Sequence, residues 1–430
     1  MKTNKRLALS IACALLFTGS LSAQTLAIKN ATVHTATAQG VLTGATVLIE
    51  DNKIIKINPK EYQADAEFDA EGKILTPGFI GSMNPLGLVE IGMVGSANDS
   101  ADKKASINFD PSLGFNPKAS TIAFARKGGV TTNLVVSSAS ESIFAGQGFV
   151  VSLSGEWDSM ISAQGPLVVN LGAKDEGSRA MSLQELAEQL DDAQKAQIKA
   201  NNKASAKHKK DDSDEDEPSR DQLVLIELLK GNKTLIAEAH RGSDILALLK
   251  LKQQYQLKLV ISGAADAVLV AQQLVDAQVP VIINAMDNLP DSFDSLNNAM
   301  NNAAKLNQAG VKIILAIPGD SHGLYGLRFT AGNAVANGLP AEAALKALTA
   351  NVADVFQLNS GRIEVGKDAN LVLWSGDPFE YSTRVEKLWI DGKEQQLESR
   401  QDKLRDRYMS QSILPKAYNQ GGAARVSREP

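Results

Sequence analysis

The chain has 430 residues, 43% hydrophobic and 22% charged, with a formal net charge of −5. That length accommodates one large barrel-sized domain with a smaller satellite, or two to three ordinary domains. A mildly acidic chain with no basic stripe interleaved with aromatics excludes nucleic acid as an expected partner.

The first residues read as a secretory signal. Lys2, Lys5 and Arg6 precede the apolar run Leu7 to Phe17, and Ser20, Ser22 and Ala23 supply small residues for cleavage near Ala23. The run is shorter than the roughly 20 residues a membrane span needs. Residues 1–23 are therefore expected to be removed, leaving a periplasmic or secreted chain with no membrane association. Cys13 is the only cysteine. A lipoprotein anchor there would want Leu three places earlier, where Ser10 stands, so the mature chain is expected to carry no disulfide and no thiolate ligand.

Three β-patterned runs follow, at Thr25 to Val33, Ala45 to Ile57 and Ala66 to Leu75, with Asp51-Asn52-Lys53 as a turn. Similar runs return at Asn370 to Trp374 and Val385 to Ile390. Between these ends the pattern alternates. Buried strands are expected at Val130 to Val136, Phe149 to Leu153, Leu167 to Leu171, Thr234 to Ala237, Leu257 to Ile261, Val279 to Ile283 and Val311 to Ile317. Helices are expected after a Ser182/Glu185 capping box, after Ser243-Asp244, over Asp266 to Ala277 and over Ser292 to Ala309. This alternation predicts an α/β fold, either a barrel or a doubly wound open sheet. Residues 199–222 are first Lys-rich and then acidic, with no apolar residue larger than Ala in the charged stretch, which predicts a disordered insertion. Asp212, Asp214 and Asp216 alternate as in a calcium loop, but Glu217 occupies the required Gly position.

Ile74-Leu75-Thr76-Pro77-Gly78-Phe79-Ile80 resembles the lead-in to the first barrel strand of amidohydrolases, most closely the imidazolonepropionase-like branch. Gly361-Arg362-Ile363-Glu364-Val365-Gly366-Lys367-Asp368-Ala369-Asn370, continuing to Trp374 and Gly376-Asp377-Pro378, is a second match. Gly338-Leu339-Pro340 to Leu345, with Leu348-Thr349 and Ala353, is a third. The resemblance implies a (β/α)8 TIM-type barrel with a small β-sandwich domain formed from both chain ends. The expected divisions are a β-domain at 24–76 and 359–395, a barrel at 77–358, and a C-terminal helix and mobile tail at 396–430.

The family's chemistry is metal-assisted hydrolysis, commonly of non-peptide carbon–nitrogen bonds. It uses a divalent ion usually held by a His-x-His pair on the first strand, a His on the fifth, often a His on the sixth, and an Asp on the eighth that also moves protons. Here the His-x-His positions are Met83 and Pro85. A thioether suits zinc poorly and proline offers no ligand. His240 stands at the fifth-strand position and Asp320 at the eighth; the sixth falls near Gly263. If the last strand continued, His322 would face the same side as Asp320. His240, Asp320 and His322 could then hold one divalent ion, zinc or similar, weakly, with Asp320 as catalytic proton shuttle. The plainer reading of Asp320-Ser321-His322 is a turn or helix cap. His34 and His208 are expected at the surface. Two functions follow: an exported hydrolase acting on a small-molecule substrate, or a catalytically inactive relative that binds or assembles with an intact paralogous amidohydrolase.

Overall fold

The computed structural model describes residues 24–138, 141–172, 177–205 and 217–410. The expected signal segment with Cys13, His208 and the alternating Asp212, Asp214 and Asp216 lie outside those residues, as does the tail from 411.

Five strands open the described chain: β1 (Thr25–His34), β2 (Val41–Glu50), β3 (Lys53–Ile57), β4 (Ala66–Asp69) and β5 (Ile74–Pro77). The central strands are β6 (Phe79–Asn84), β7 (Val130–Val135), β8 (Phe144–Gln147), β9 (Phe149–Ser152), β10 (Met160–Ser162), β11 (Leu167–Asn170), β12 (Thr234–Ala239), β13 (Lys258–Gly263), β14 (Val281–Ile283) and β15 (Ile313–Leu315). The last three are β16 (Leu371–Trp374), β17 (Val385–Ile390) and β18 (Lys393–Glu394). The helices are α1 (Ser120–Arg126), α2 (Arg179–Ser205), α3 (Arg220–Leu229), α4 (Gly242–Tyr255), α5 (Ala271–Asp276), α6 (Asn302–Gln308), α7 (Leu327–Ala336), α8 (Ala341–Leu348), α9 (Ala350–Phe356) and α10 (Arg400–Ser410).

The two chain ends share one hydrogen-bonded sheet, ordered β18-β17-β16-β5-β1-β2-β3, with β4 also on β1. β1 changes partner midway: Leu26 to Lys29 run parallel to β4, while Thr32 and Val33 run parallel to β5. The break coincides with register slips in the β1–β2 ladder and with Asn30 at φ +55°, as a bulge requires. β16 lies antiparallel to β5, pairing Leu371 with Pro77 and Trp374 with Ile74. Ile28, Val33, Val47, Leu75, Leu371 and Trp389 pack into one cluster on this sheet. Trp374 belongs to both layers: its indole N–H donates to the Thr76 hydroxyl at 2.9 Å, and its ring stacks on Phe79, the first residue of β6.

The central strands form two sheets. One is β10-β9-β7-β6; the other is β15-β14-β13-β12-β11-β8. From β11 to β15 every pairing is parallel, so intervening helices must return the chain each time. Adjacent residues along the strands alternate between two clusters. Ile80, Leu134, Val150, Val168, Ile236, Val260, Ile282 and Ile314, from β6, β7, β9, β11, β12, β13, β14 and β15, share one buried cluster. Their neighbours Phe79, Val135, Val151, Val169, Leu235, Ile261, Val281 and Ile313 face the larger cluster that includes the helices. Successive strand residues point to opposite sides, and here both sides are dry.

Several local expectations are corrected. Ser182 is not a cap: α2 begins three residues earlier, at Arg179, and the Ser182 hydroxyl donates back to the Ser178 carbonyl at 3.4 Å. Asp244 lies inside α4, whose first flanking residue is Arg241. The helix expected over Ser292 to Ala309 is confined to Asn302–Gln308; Ser292 and Ser295 instead bond each other and nearby backbone, as short polar side chains do in turns. At the expected insertion, α2 runs on to Ser205 and α3 starts at Arg220 behind a reciprocal Ser219–Gln222 capping box. His34, expected at the surface, is partly buried at the end of β1.

Candidate functional site

The expected chemistry sits where β6, β12, β13 and β15 run out. On β6, Met83 is buried, 6% exposed, and its side chain joins the apolar cluster with Ile80 and Leu134. Its backbone has φ +60°, and its carbonyl accepts the Gly319 N–H at 2.8 Å. That bond ties the end of β6 to the loop after β15. Pro85 is also buried. Asn84, between them, faces Asn133 of β7: each amide donates to the other, at 2.9 and 3.1 Å, and both side chains are fully buried. The place where the resemblance would put two imidazoles is thus occupied by a thioether in an apolar cluster, a pyrrolidine ring and a self-satisfied amide pair.

His240 follows β12 directly. Its ring lies against Gly263 at the end of β13, so closely that a Cβ on that glycine would stand 2.6 Å from the imidazole Cε1. The residue at the sixth-strand position must therefore be small. The Nε2 atom is 3.9 Å from the Glu238 carboxylate, an electrostatic contact too long for a hydrogen bond. The buried Nδ1 has no hydrogen-bond partner among the described residues. Glu238, opposed by burial and helped by Asp294 and Asp287, holds the His240 pKa above its ordinary value.

Asp320 and His322 approach each other, with His322 Nδ1 4.0 Å from the Asp320 carboxylate, but form no metal-holding group with His240 among the described residues. β15 ends at Leu315, so no strand carries Asp320 and His322 onto a common face. Both side chains are more than half exposed. The Asp320 carboxylate accepts the His322 N–H at 2.8 Å, and His322 flanks a single helical turn at Gly323–Gly326. This is the turn arrangement that short acidic residues favour. Among the described residues no group of three or more His, Cys, Asp or Glu side chains is placed to hold a metal ion. The donors present do not fit the metal that the resemblance implies.

Sequence reasoning missed an ion cluster beside His240. Asp294, 6% exposed, pairs with Arg179 at the start of α2 and with Arg241, whose Nε is 2.6 Å away. Burial alone would push Asp294 upward; the two guanidinium groups hold its pKa below the usual carboxylate range. Arg179 also reaches Asp244 at 3.8 Å. Asp287 is raised by burial and by Asp291, although Asn284 donates to it at 2.7 Å. Next to these, Asn170 donates to Glu238 at 3.1 Å. The carboxylates nearest His240 are thus already engaged by arginine or amide donors.

The amidohydrolase family signature matches residues 228–395. An amidohydrolase from Thermotoga maritima MSB8 superposes with a TM-score of 0.78 at 26% identity, over 86% of this chain and 99% of that one. Molinate hydrolase (TM-score 0.54, 17% identity, 87% and 95% covered) and A. niger ochratoxinase (0.53, 16%, 86% and 95%) share the fold. No curated protein matches in sequence. This mixed α/β chain therefore carries an amidohydrolase-family domain over residues 228–395 and has solved amidohydrolases and hydrolases as its structural neighbours.

Proposed function

We propose that the chain is an exported, catalytically inactive relative of the imidazolonepropionase-like amidohydrolases, acting as a binding or assembly partner of an intact paralogue. The observation that carries this reading is Met83: the first-strand ligand position is occupied by a side chain packed into the apolar interior, two residues before a proline. Removing two of the four or five usual ligands leaves an ion mostly hydrated and weakly held. In the same reading the central strands close as a (β/α)8 barrel, supported by the single cluster to which β6, β7, β9 and β11 to β15 all contribute, with Ala145 of β8 beside them. The terminal sheet curls over its own core as a sandwich, supported by the change of partner along β1.

The second reading, a hydrolase of non-peptide carbon–nitrogen bonds, is favoured by the likeness to amidohydrolases and by the unpartnered Nδ1 of His240. One experiment separates them. Full-length protein is expressed with export intact, purified without chelators, assayed for metal by mass spectrometry before and after zinc or manganese is offered, and tested on amides and cyclic ureides. The partner reading expects no stoichiometric metal, no turnover, and a stable complex when the intact paralogue is co-expressed. A near-stoichiometric metal that disappears in His240→Ala would overturn it.

A further inference from the structure

A cavity of about 540 Å³ lies at the opposite ends of the strands from His240, between the starts of β11 and β12 and the terminal sheet. Its volume is in the range of small-molecule sites. On the strand side stands Lys233, only 7% exposed. Its ammonium donates to the Gly165 carbonyl at 3.2 Å, and among the described residues no carboxylate lies within ion-pair distance of it. A buried ammonium without a counter-charge is costly, and burial pushes the Lys233 pKa down accordingly, with only the longer-range Glu227 and Asp110 opposing.

On the sheet side stand Asp368 and Asp391. Asp368 is already satisfied by Lys53 and by the Asn359 amide. Asp391 has no such direct partner: its backbone N–H donates to Asn370, its carboxylate has no hydrogen-bond or ion-pair partner among the described residues, and burial and Asp368 raise its pKa against the longer-range pull of Lys53 and Lys393. The cavity therefore carries on one side a cation, and on the other an anion, that lack a direct ion-pair partner among the described residues, with side-chain amides such as Asn52 and Gln357 also in its lining.

We infer that this cavity binds a small zwitterion, a free α-amino acid or short peptide, with the ligand carboxylate at Lys233 and its ammonium at Asp391. A monovalent ion would compensate only one of the two charges, and an uncharged ligand neither. The site is independent of the chemistry proposed at the other ends of the strands.

The test is calorimetric titration of the full chain with L-alanine, L-alanyl-L-alanine and L-alanyl-L-alanyl-L-alanine, beside their N-acetyl and C-amide forms. At least one zwitterion is expected to bind, with capping of either end weakening it about tenfold or more, the worth of one charge-assisted contact. In Lys233→Met the C-amide should lose its disadvantage, and in Asp391→Asn the N-acetyl form should lose its own. Asp391→Asn keeps a residue type that tolerates the φ of +50° there, so the second arm stands even if Lys233→Met misfolds. Absence of zwitterion binding, capped forms binding as well as free ones, or variants that discriminate as the wild type does would overturn the inference.

Discussion

Replacing Met83 by His is the most direct probe of whether the ligand loss is superficial. Met83 is 6% exposed among Ile80, Leu134 and Val136. Its φ of +60° is a conformation that His adopts more readily than most residues, so the backbone adds little cost. Removing apolar burial costs about 1 kcal/mol, and seating an imidazole in that cluster without a partner costs about 1–3 kcal/mol. Met83→His should therefore destabilise by about 2–4 kcal/mol, whereas the volume-conserving Met83→Leu should cost less than about 1.5 kcal/mol. Urea denaturation of both variants, with and without zinc, measures this. If the surviving donors could complete a site, zinc at a hundred times its dissociation constant would return about 2.7 kcal/mol, nearly cancelling the loss. A zinc-dependent rise of that size in Met83→His, with one zinc bound per chain, would refute the argument and revive the hydrolase reading.

Other perturbations test neighbouring claims. Arg328 is 1% exposed and donates to the carbonyls of Pro378, Glu380, Tyr381 and Thr383 with its guanidinium over the Phe329 ring. Arg328→Met should lower stability by about 3–5 kcal/mol in denaturation, and Arg328→Lys should rescue only part, because an ammonium cannot fork to four acceptors. Since Glu238 raises the His240 pKa, the charged imidazole adds stability that is fully present below its unfolded pKa of about 6.5 and is lost as pH rises through the higher folded value. Glu238→Gln should move the His240 titration, followed by NMR, toward lower pH; an unchanged midpoint contradicts the assignment. Gly263→Ala meets both a φ of +83° and the His240 ring. It should cost about 1–3 kcal/mol and shift the His240 resonances, whereas unchanged resonances would mean that the ring does not rest there.

Much of the fold was legible because buried strands announce themselves. Val130 to Val135, Leu167 to Asn170 and Val385 to Ile390 fall where apolar, β-branched runs stand. Phe144–Gln147 escaped notice because Gly146, at φ +86°, interrupts its apolar pattern. The helix starts failed for a different reason: Ser182 and Glu185 satisfy the capping pattern, yet α2 is already under way from Arg179. At the site, that Met83 and Pro85 offer no imidazole could be read from residue types alone. Whether Asp320 and His322 faced His240 depended on where β15 stops, and the apolar run Val311 to Ile317 gives no sign that pairing ends at Leu315. The cluster of Arg179, Arg241 and Asp294 joins the start of α2, the residue before α4 and a turn, segments far apart in sequence, and no local periodicity encodes such a meeting.

The pairing of β5 with β16 carries a consequence for biogenesis. Pro77 and Leu371 are register partners separated by 294 positions (371 − 77), so the edge of β5 that receives β16 emerges long before its complement exists. At synthesis rates of about 5–20 residues per second, that interval lasts on the order of 15–60 seconds. During it, the amino-terminal strands present an open edge, a template on which chains aggregate. Closure of this seam is thus a late, long-range event, and a chaperone that shields nascent strands should raise the yield of folded protein more than one that acts after release.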